Sequence, residues 1–173
     1  MSRVVLSIGS NLGDRLSRLQ SVVDALDDRL RAVSPVYETD PWGGVDQGPF
    51  LNAVVIAEDP ELDGHGWLAF AQRLEAAADR IRGQKWGPRT LDVDLVTVSD
   101  GDTEVISRDE GLTLPHPLAH LRAFVLIPWQ AVDPEAGLTV TGAVKPVSRL
   151  LAELDPPDRD GVRLTPLVLG VAG

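Results

Sequence analysis

Three features of the sequence predict an α+β domain of the ferredoxin-like kind, an antiparallel sheet with helices packed on it. Val- and Ile-rich runs recur along the chain. Two longer segments between them repeat apolar residues at helical spacing. The resulting order, strand, helix, strand, strand, helix, strand, is the split βαβ plan, from which we expect helices to cover one face of the sheet. A length of 173 residues predicts a single domain over 1–173, long enough to bury its own core.

Arg3 to Ile8 reads as a strand that leaves through the turn Gly9-Ser10-Asn11. Asp14 is placed to cap a helix from Arg15 to Arg31, with Leu16, Leu19, Val22, Val23, Leu26 and Leu30 on one face. Val33 to Thr39 reads as a second strand, assigned to an edge or a bulge by Pro35. After a Gly- and Pro-rich loop, Phe50 to Glu58 reads as a third. Gly64 to Gly66 opens a second helix, with Trp67, Phe70, Ala71, Leu74, Ala78 and Ile81 in phase and Gly83 placed to end it. Leu91 to Val98 is a strand, and Asp100-Gly101 a turn into a short return strand near Val105-Ile106. Leu118 to Val132 reads as a helix interrupted or ended near Pro128. Val147 to Leu154 reads as a short helix, and Val162 to Val171 as an edge strand.

Composition narrows the partners. The formal net charge of −10 disfavours nucleic acid and anionic membrane surface. No stretch reaches the ~20 apolar residues of a membrane span, and Val4-Val5-Leu6 is too short for a secretory leader. The chain lacks cysteine, which excludes thiolate chemistry and suits a reducing compartment. A cytoplasmic monomer acting on small molecules is expected. The segment from Arg73 to Arg89 runs against the overall charge, with Arg73, Arg80, Arg82, Lys85 and Arg89 against Glu75 and Asp79. Such a segment is either a solvated helix face or a site for a phosphorylated ligand.

The chemistry centres on Leu91-Asp92-Val93-Asp94-Leu95. Alternation along a strand sends Asp92 and Asp94 to one face. There, ~7 Å apart along the strand, they repel unless something positive lies between them. Taken alone, the pair is either an exposed acidic edge or a set of hard oxygen ligands for Mg²⁺. Arginines and a lysine just upstream favour the second reading, because metal ligands beside oxyanion clamps are what phosphoryl transfer requires. No Walker A, Rossmann or His-Glu-x-x-His pattern is present.

With these residues in place the sequence closely resembles the 6-hydroxymethyl-7,8-dihydropterin pyrophosphokinase family. The resemblance runs through Ile8-Gly9-Ser10-Asn11-Leu12, Phe50-Leu51-Asn52-Ala53, Trp86 to Asp94, Leu114-Pro115-His116-Pro117 and Arg122-Ala123-Phe124-Val125-Leu126; little after Asp133 adds to it. It implies transfer of the diphosphate of ATP to the pterin hydroxymethyl group, with release of AMP, in folate synthesis. Asp92 and Asp94 would then hold two Mg²⁺ ions. Arg80, Arg82 and Arg89 would contact phosphates, with Trp86 folding over the site and His116 and Arg122 assisting. Gln72 and Glu75 would line the nucleotide pocket. Phe50 and Phe124 would sandwich the pterin, Asn52 would bind its edge, and groups at Thr39, Asp40 and Trp42 would complete that site. The loops at 40–49 and 83–88, each rich in Gly and Pro and carrying a tryptophan, Trp42 or Trp86, are expected to act as lids. Pro117 stands where some members of the family have tyrosine, and the stretch from Arg82 to Trp86 is one residue shorter than in some of them.

The residue chemistry also admits two rivals. One is a metal-dependent transferase holding a nucleotide-sugar diphosphate. The other is a non-catalytic nucleotide-binding protein on a ferredoxin-like scaffold.

Overall fold

The structure is a computed structural model that describes residues 2–41, 47–78, 91–109 and 111–171. The strands are β1 (Ser2–Ser10), β2 (Leu30–Val33), β3 (Tyr37–Thr39), β4 (Phe50–Asp59), β5 (Asp92–Asp100), β6 (Thr103–Glu104), β7 (Ser107–Asp109), β8 (Leu112–Leu114), β9 (Gly137–Val140), β10 (Ala143–Pro146) and β11 (Val162–Leu164). The helices are α1 (Arg15–Leu26), α2 (Gly64–Ala77), α3 (Ala123–Val132), α4 (Val147–Glu153) and α5 (Pro156–Asp160).

The main sheet runs β11-β3-β4-β1-β5-β6, with β2 also on β4, and all its pairings are antiparallel. Taking β2 and β3 as one broken strand, its centre is the expected ferredoxin-like order. The break is at Ser34-Pro35, where proline cannot donate to a ladder. Ser34 bridges the gap: its N–H donates to the Val54 carbonyl and its Oγ accepts from the Val54 N–H, both at 2.9 Å.

Helices cover both faces of this sheet, not one. On the first face α1 and α2 bury Leu19, Val22, Val23, Leu26, Trp67, Phe70 and Ala71 against Val4, Leu6, Ile8, Ala53, Val55, Val93 and Leu95. On the second, α3 and α4 bury Val125, Leu126, Trp129, Val147, Leu150 and Leu151 against Val5, Val54, Ile56 and Val96. The cause lies in the central strands, where Val4-Val5-Leu6 and Ala53-Val54-Val55-Ile56-Ala57 are apolar without alternation. A strand of that kind needs cover on both sides. Trp67 anchors the first layer, fully buried, edge-on to Phe70 at 6.0 Å, with its indole N–H donating to Ser2 Oγ at 2.9 Å.

Several boundaries differ from expectation for local reasons. Helix α1, capped by Asp14 to the Ser17 N–H at 3.1 Å, stops at Leu26 rather than Arg31. Asp27 turns to φ 51°, and Arg29 donates to the carbonyls of Ala25 and Leu26, satisfying the helix end so that Leu30 can start β2. Helix α2 opens on Asp63, which accepts from the Gly66 N–H at 2.8 Å, and ends at Ala77; the proposed stop at Gly83 lies outside the described residues. The third predicted helix breaks at Arg122, not Pro128. A 3-10 turn at Ala119–Leu121 leads to an extended Arg122 (φ −110°, ψ 102°), and α3 then runs on through Pro128. The return strand β6 lies two residues ahead of its expected place, with Ser99 opposite Glu104.

Three elements were absent from the sequence reading: the hairpin β7–β8, the hairpin β9–β10 and helix α5. In β9–β10 the two linking residues, Thr141 and Gly142, both have positive φ (49° and 84°), the geometry of a tight hairpin, but Thr-Gly is a weak signal for it. Strand β11 does form, over three residues, as the outer partner of β3.

Candidate active site

The cross-strand register brings distant residues into rows on the second face of the sheet. Gly9 lies opposite Asn52 on one side and Asp92 on the other. One pleat further on, Ser7 lies opposite Val54 and Asp94. Toward the sheet edge Tyr37 pairs with Asn52 and Thr39 with Phe50. The predicted metal-ligand pair and three predicted pterin residues, Thr39, Phe50 and Asn52, therefore share one end of one face.

Asn52 is buried and fixed. Its Oδ1 accepts from Thr39 Oγ1 at 2.5 Å, and its Nδ2 donates to the Ile8 carbonyl at 3.3 Å. Gly9 makes the arrangement possible, because a Cβ there would run into Asn52 Nδ2 and approach the Phe50 ring to 3.5 Å. Gly9 belongs to the Ile8–Leu12 stretch that carries the resemblance, but by itself it reads as the start of a turn, whereas β1 continues through it to Ser10.

Asp92 and Asp94 are half-buried. The register slips at Val5/Leu6, leaving Val96 as an extra residue in β5, and the His116 N–H donates to the Val96 carbonyl at 2.9 Å. That contact docks His116 on the strand that bears both aspartates. Bulges commonly re-aim side chains in this way. His116 Nδ1 accepts from the Leu118 N–H at 3.1 Å, so the neutral ring carries its proton on Nε2. Burial first, and the charge of Arg122 second, pull its pKa down to about 4.

Arg122 is only 6% exposed. Burial lowers its pKa, opposed by the nearby charges of Asp94 and then Asp92, so the guanidinium shares their electrostatic environment. It also lies over the Phe124 ring, 5.4 Å from the centroid. Phe124 is half-buried against the second-face core.

The remaining predicted residues are placed differently. Glu75 is 5% exposed and reaches β5 from α2, accepting the Val93 N–H at 3.0 Å, while Gln72 is exposed on the same helix. Asp40 directs its carboxylate to Arg163 at 3.0 Å. Trp42, Arg80, Arg82, Lys85, Trp86 and Arg89, and with them most of the two proposed lid loops, lie outside the described residues. Among the described residues no group of three or more His, Cys, Asp or Glu could hold a metal, and no helix is long and apolar enough to cross a membrane.

A ferredoxin-like α+β domain that gathers paired carboxylates, a buried arginine and a fixed amide at one end of its sheet is the class of protein defined here. Residues 5–134 match the model of the 7,8-dihydro-6-hydroxymethylpterin-pyrophosphokinase (HPPK) family, and the chain belongs to that family. It is 64% identical to the 2-amino-4-hydroxy-6-hydroxymethyldihydropteridine pyrophosphokinase of Mycobacterium tuberculosis (strain ATCC 25618 / H37Rv), over 95% of this chain and 90% of the relative. The enzyme of the same name from Aquifex aeolicus (strain VF5) is 35% identical over 78% of this chain and 82% of its own. Among solved structures, wild-type Plasmodium falciparum HPPK-DHPS superposes with a TM-score of 0.61 at 13% identity, over 88% of this chain. This chain spans 44% of that longer one, and the likeness concerns the fold alone.

Proposed function

We propose that this protein transfers the diphosphate of ATP to the hydroxymethyl group of 6-hydroxymethyl-7,8-dihydropterin, releasing AMP, as a Mg²⁺-dependent cytoplasmic monomer of folate biosynthesis. The observation that supports the reading is the row Asn52–Gly9–Asp92, which puts a fixed side-chain amide beside a carboxylate pair.

The donor set fits magnesium. Asp92 and Asp94 offer hard oxygens on one face, and Mg²⁺ is commonly held by one or two carboxylates plus substrate phosphates rather than by an all-protein cage. The two aspartates would hold two ions, whose chemistry there is to offset phosphate charge and ease loss of the hydroxyl proton. Asn52, locked by Thr39, presents fixed polar atoms to the pterin edge, and Phe50 and Phe124 supply aromatic faces. The chemistry is attack of the pterin oxygen on the β-phosphorus of ATP, with AMP as the leaving group. It needs in-line positioning and charge stabilisation rather than a protein nucleophile. Arg122, beside the aspartates, adds fixed positive charge, and neutral His116 serves as an Nε2–H donor to phosphate oxygen. Arg80, Arg82, Arg89 and Trp86 join the phosphate site, and Gln72 and Glu75 the nucleotide pocket, on the strength of the resemblance.

The test is AMP formation from ATP with and without the pterin, in the presence and absence of Mg²⁺. We expect AMP only when all components are present, and a loss of about a hundredfold or more in turnover in folded Asp92→Asn or Asp94→Asn. No AMP from the wild type would overturn the activity; near-normal turnover in either variant would overturn the metal assignment.

A further inference from the structure

Four charged residues from three separate parts of the chain form a continuous network at the two stems of the loop leading from β3 to β4. Arg163, on β11, lies opposite Glu38 in register and approaches Glu38 Oε1 at 3.7 Å and Asp40 Oδ1 at 3.0 Å. The other carboxylate oxygen of Glu38 receives Arg15 at 3.4 Å. The same Arg15 Nη1 donates to the Pro49 carbonyl at 3.1 Å, on the far stem. A backbone bond reinforces the near stem, from the Asp40 N–H to the Gly161 carbonyl at 2.8 Å. On the far stem Asn11 donates to Gln47 Oε1 at 2.8 Å and to the Gly48 carbonyl at 3.0 Å.

The network lies off the site face, because Glu38 alternates with Tyr37 and Thr39 along β3 and lies opposite Leu51 of the first-face core, and Asp40, just past the strand, turns its carboxylate to Arg163. Its position still bears on the site. Thr39, between Glu38 and Asp40, holds Asn52, and Pro49 precedes Phe50. The two residues whose spacing defines the Thr39–Asn52–Phe50 corner thus sit next to the two clamped stems. Strand β11 lies beyond residue 134, where the family match ends.

We propose that Arg163 is a positioning residue for the pterin: by joining Glu38 and Asp40 it sets the backbone of Thr39 and, through the Glu38–Arg15–Pro49 relay, that of Phe50. The inference rests on the activity proposed above and assigns the C-terminal strand a part in substrate specificity. Arg163 is half-exposed, so the effect reads out as geometry at the site rather than as global stability.

The experiment compares wild type, Arg163→Gln and Arg163→Lys in the full chain. It measures KM for pterin and for ATP, kcat, pterin Kd by direct titration, and Tm. Expected for Arg163→Gln is a rise of about fivefold in pterin KM and Kd, the scale of one exposed ion pair. ATP KM should stay within about twofold and Tm within about 2 °C, and Arg163→Lys should recover much of the loss. The Asp40→Asn, Arg163→Gln double variant should be no worse than the weaker single one, as partners in one network require. Unchanged pterin affinity in Arg163→Gln, or parallel losses for both substrates, would overturn the proposal while leaving the activity standing. A wild type that neither binds pterin nor forms AMP would instead remove the functional reading and this inference together.

Discussion

Glu75 on α2 accepts the backbone N–H of Val93 at 3.0 Å, and Val93 is the residue between the two aspartates. A buried carboxylate thus pins the backbone segment from which both proposed metal ligands project. Replacing Glu75 with Leu leaves a buried N–H without this acceptor, at a cost of about 1–3 kcal/mol. We expect a lower urea midpoint and lower kcat in Glu75→Leu, with Glu75→Gln, which keeps an acceptor, closer to wild type in stability. Equal stability of Glu75→Leu and wild type would refute the pinning role.

Gly9→Ala places a methyl group against Asn52 Nδ2, which the Thr39 bond prevents from moving aside. The expected outcome is a loss of about tenfold in pterin affinity, the order of one buried hydrogen bond, with ATP-analogue binding little changed. Calorimetric titration of each ligand checks this. Adding Asn52→Ser to Gly9→Ala should relieve the clash and restore Tm without restoring pterin binding.

The low pKa of His116 makes a stability prediction whose sign is definite. Because the folded value, about 4, lies below histidine's ordinary 6.5, the unfolded chain binds this proton more readily. The stabilisation from neutral His116 is complete above about pH 6.5 and is lost as pH falls toward 4. Urea midpoints measured from pH 7 to pH 4 should therefore fall less steeply in His116→Gln than in wild type. Parallel curves would show that His116 is not titrating in this window.

On the proposed reading, in which Phe124 stacks on the pterin, Phe124→Ala should weaken pterin binding far more than ATP binding. Circular dichroism must accompany the titrations, because Phe124 also packs on the second-face core. Equal weakening of both ligands in a folded variant would count against the stacking role.

What could be read from the sequence divides along physical lines. Signals carried by neighbouring residues were legible: the Asp14 helix start, the opening of the second helix at Gly64, the alternation of Asp92 and Asp94, and the breaking effect of Pro35. Two-sided cover of the sheet was written in Val54-Val55-Ile56 and the matching run of β1, but a short apolar run suits several settings. The Thr141-Gly142 hairpin was hidden because threonine seldom adopts positive φ. The site was legible only in part. That Gly9 lies against Asn52, or that Arg163 meets Asp40, depends on register between strands far apart in sequence, and no local pattern encodes it. The nearness of Arg122 to the aspartates was reached through the resemblance rather than through spacing.

The two-sided sheet has a consequence for engineering. On its second face the row Asn52–Gly9–Asp92 carries the proposed site, Val54–Ser7–Asp94 is mixed, and Ile56–Val5–Thr97 is interior at Ile56 and Val5. Successive rows are about 7 Å apart, so interior and site rows stand about 14 Å apart, beyond the range at which substitutions usually couple. Thermostabilising changes confined to the interior row should therefore combine additively with changes at the site row, with little trade against turnover. Variation at Val54 and Ser7 carries both consequences at once, and a library meant to alter substrate choice would begin there.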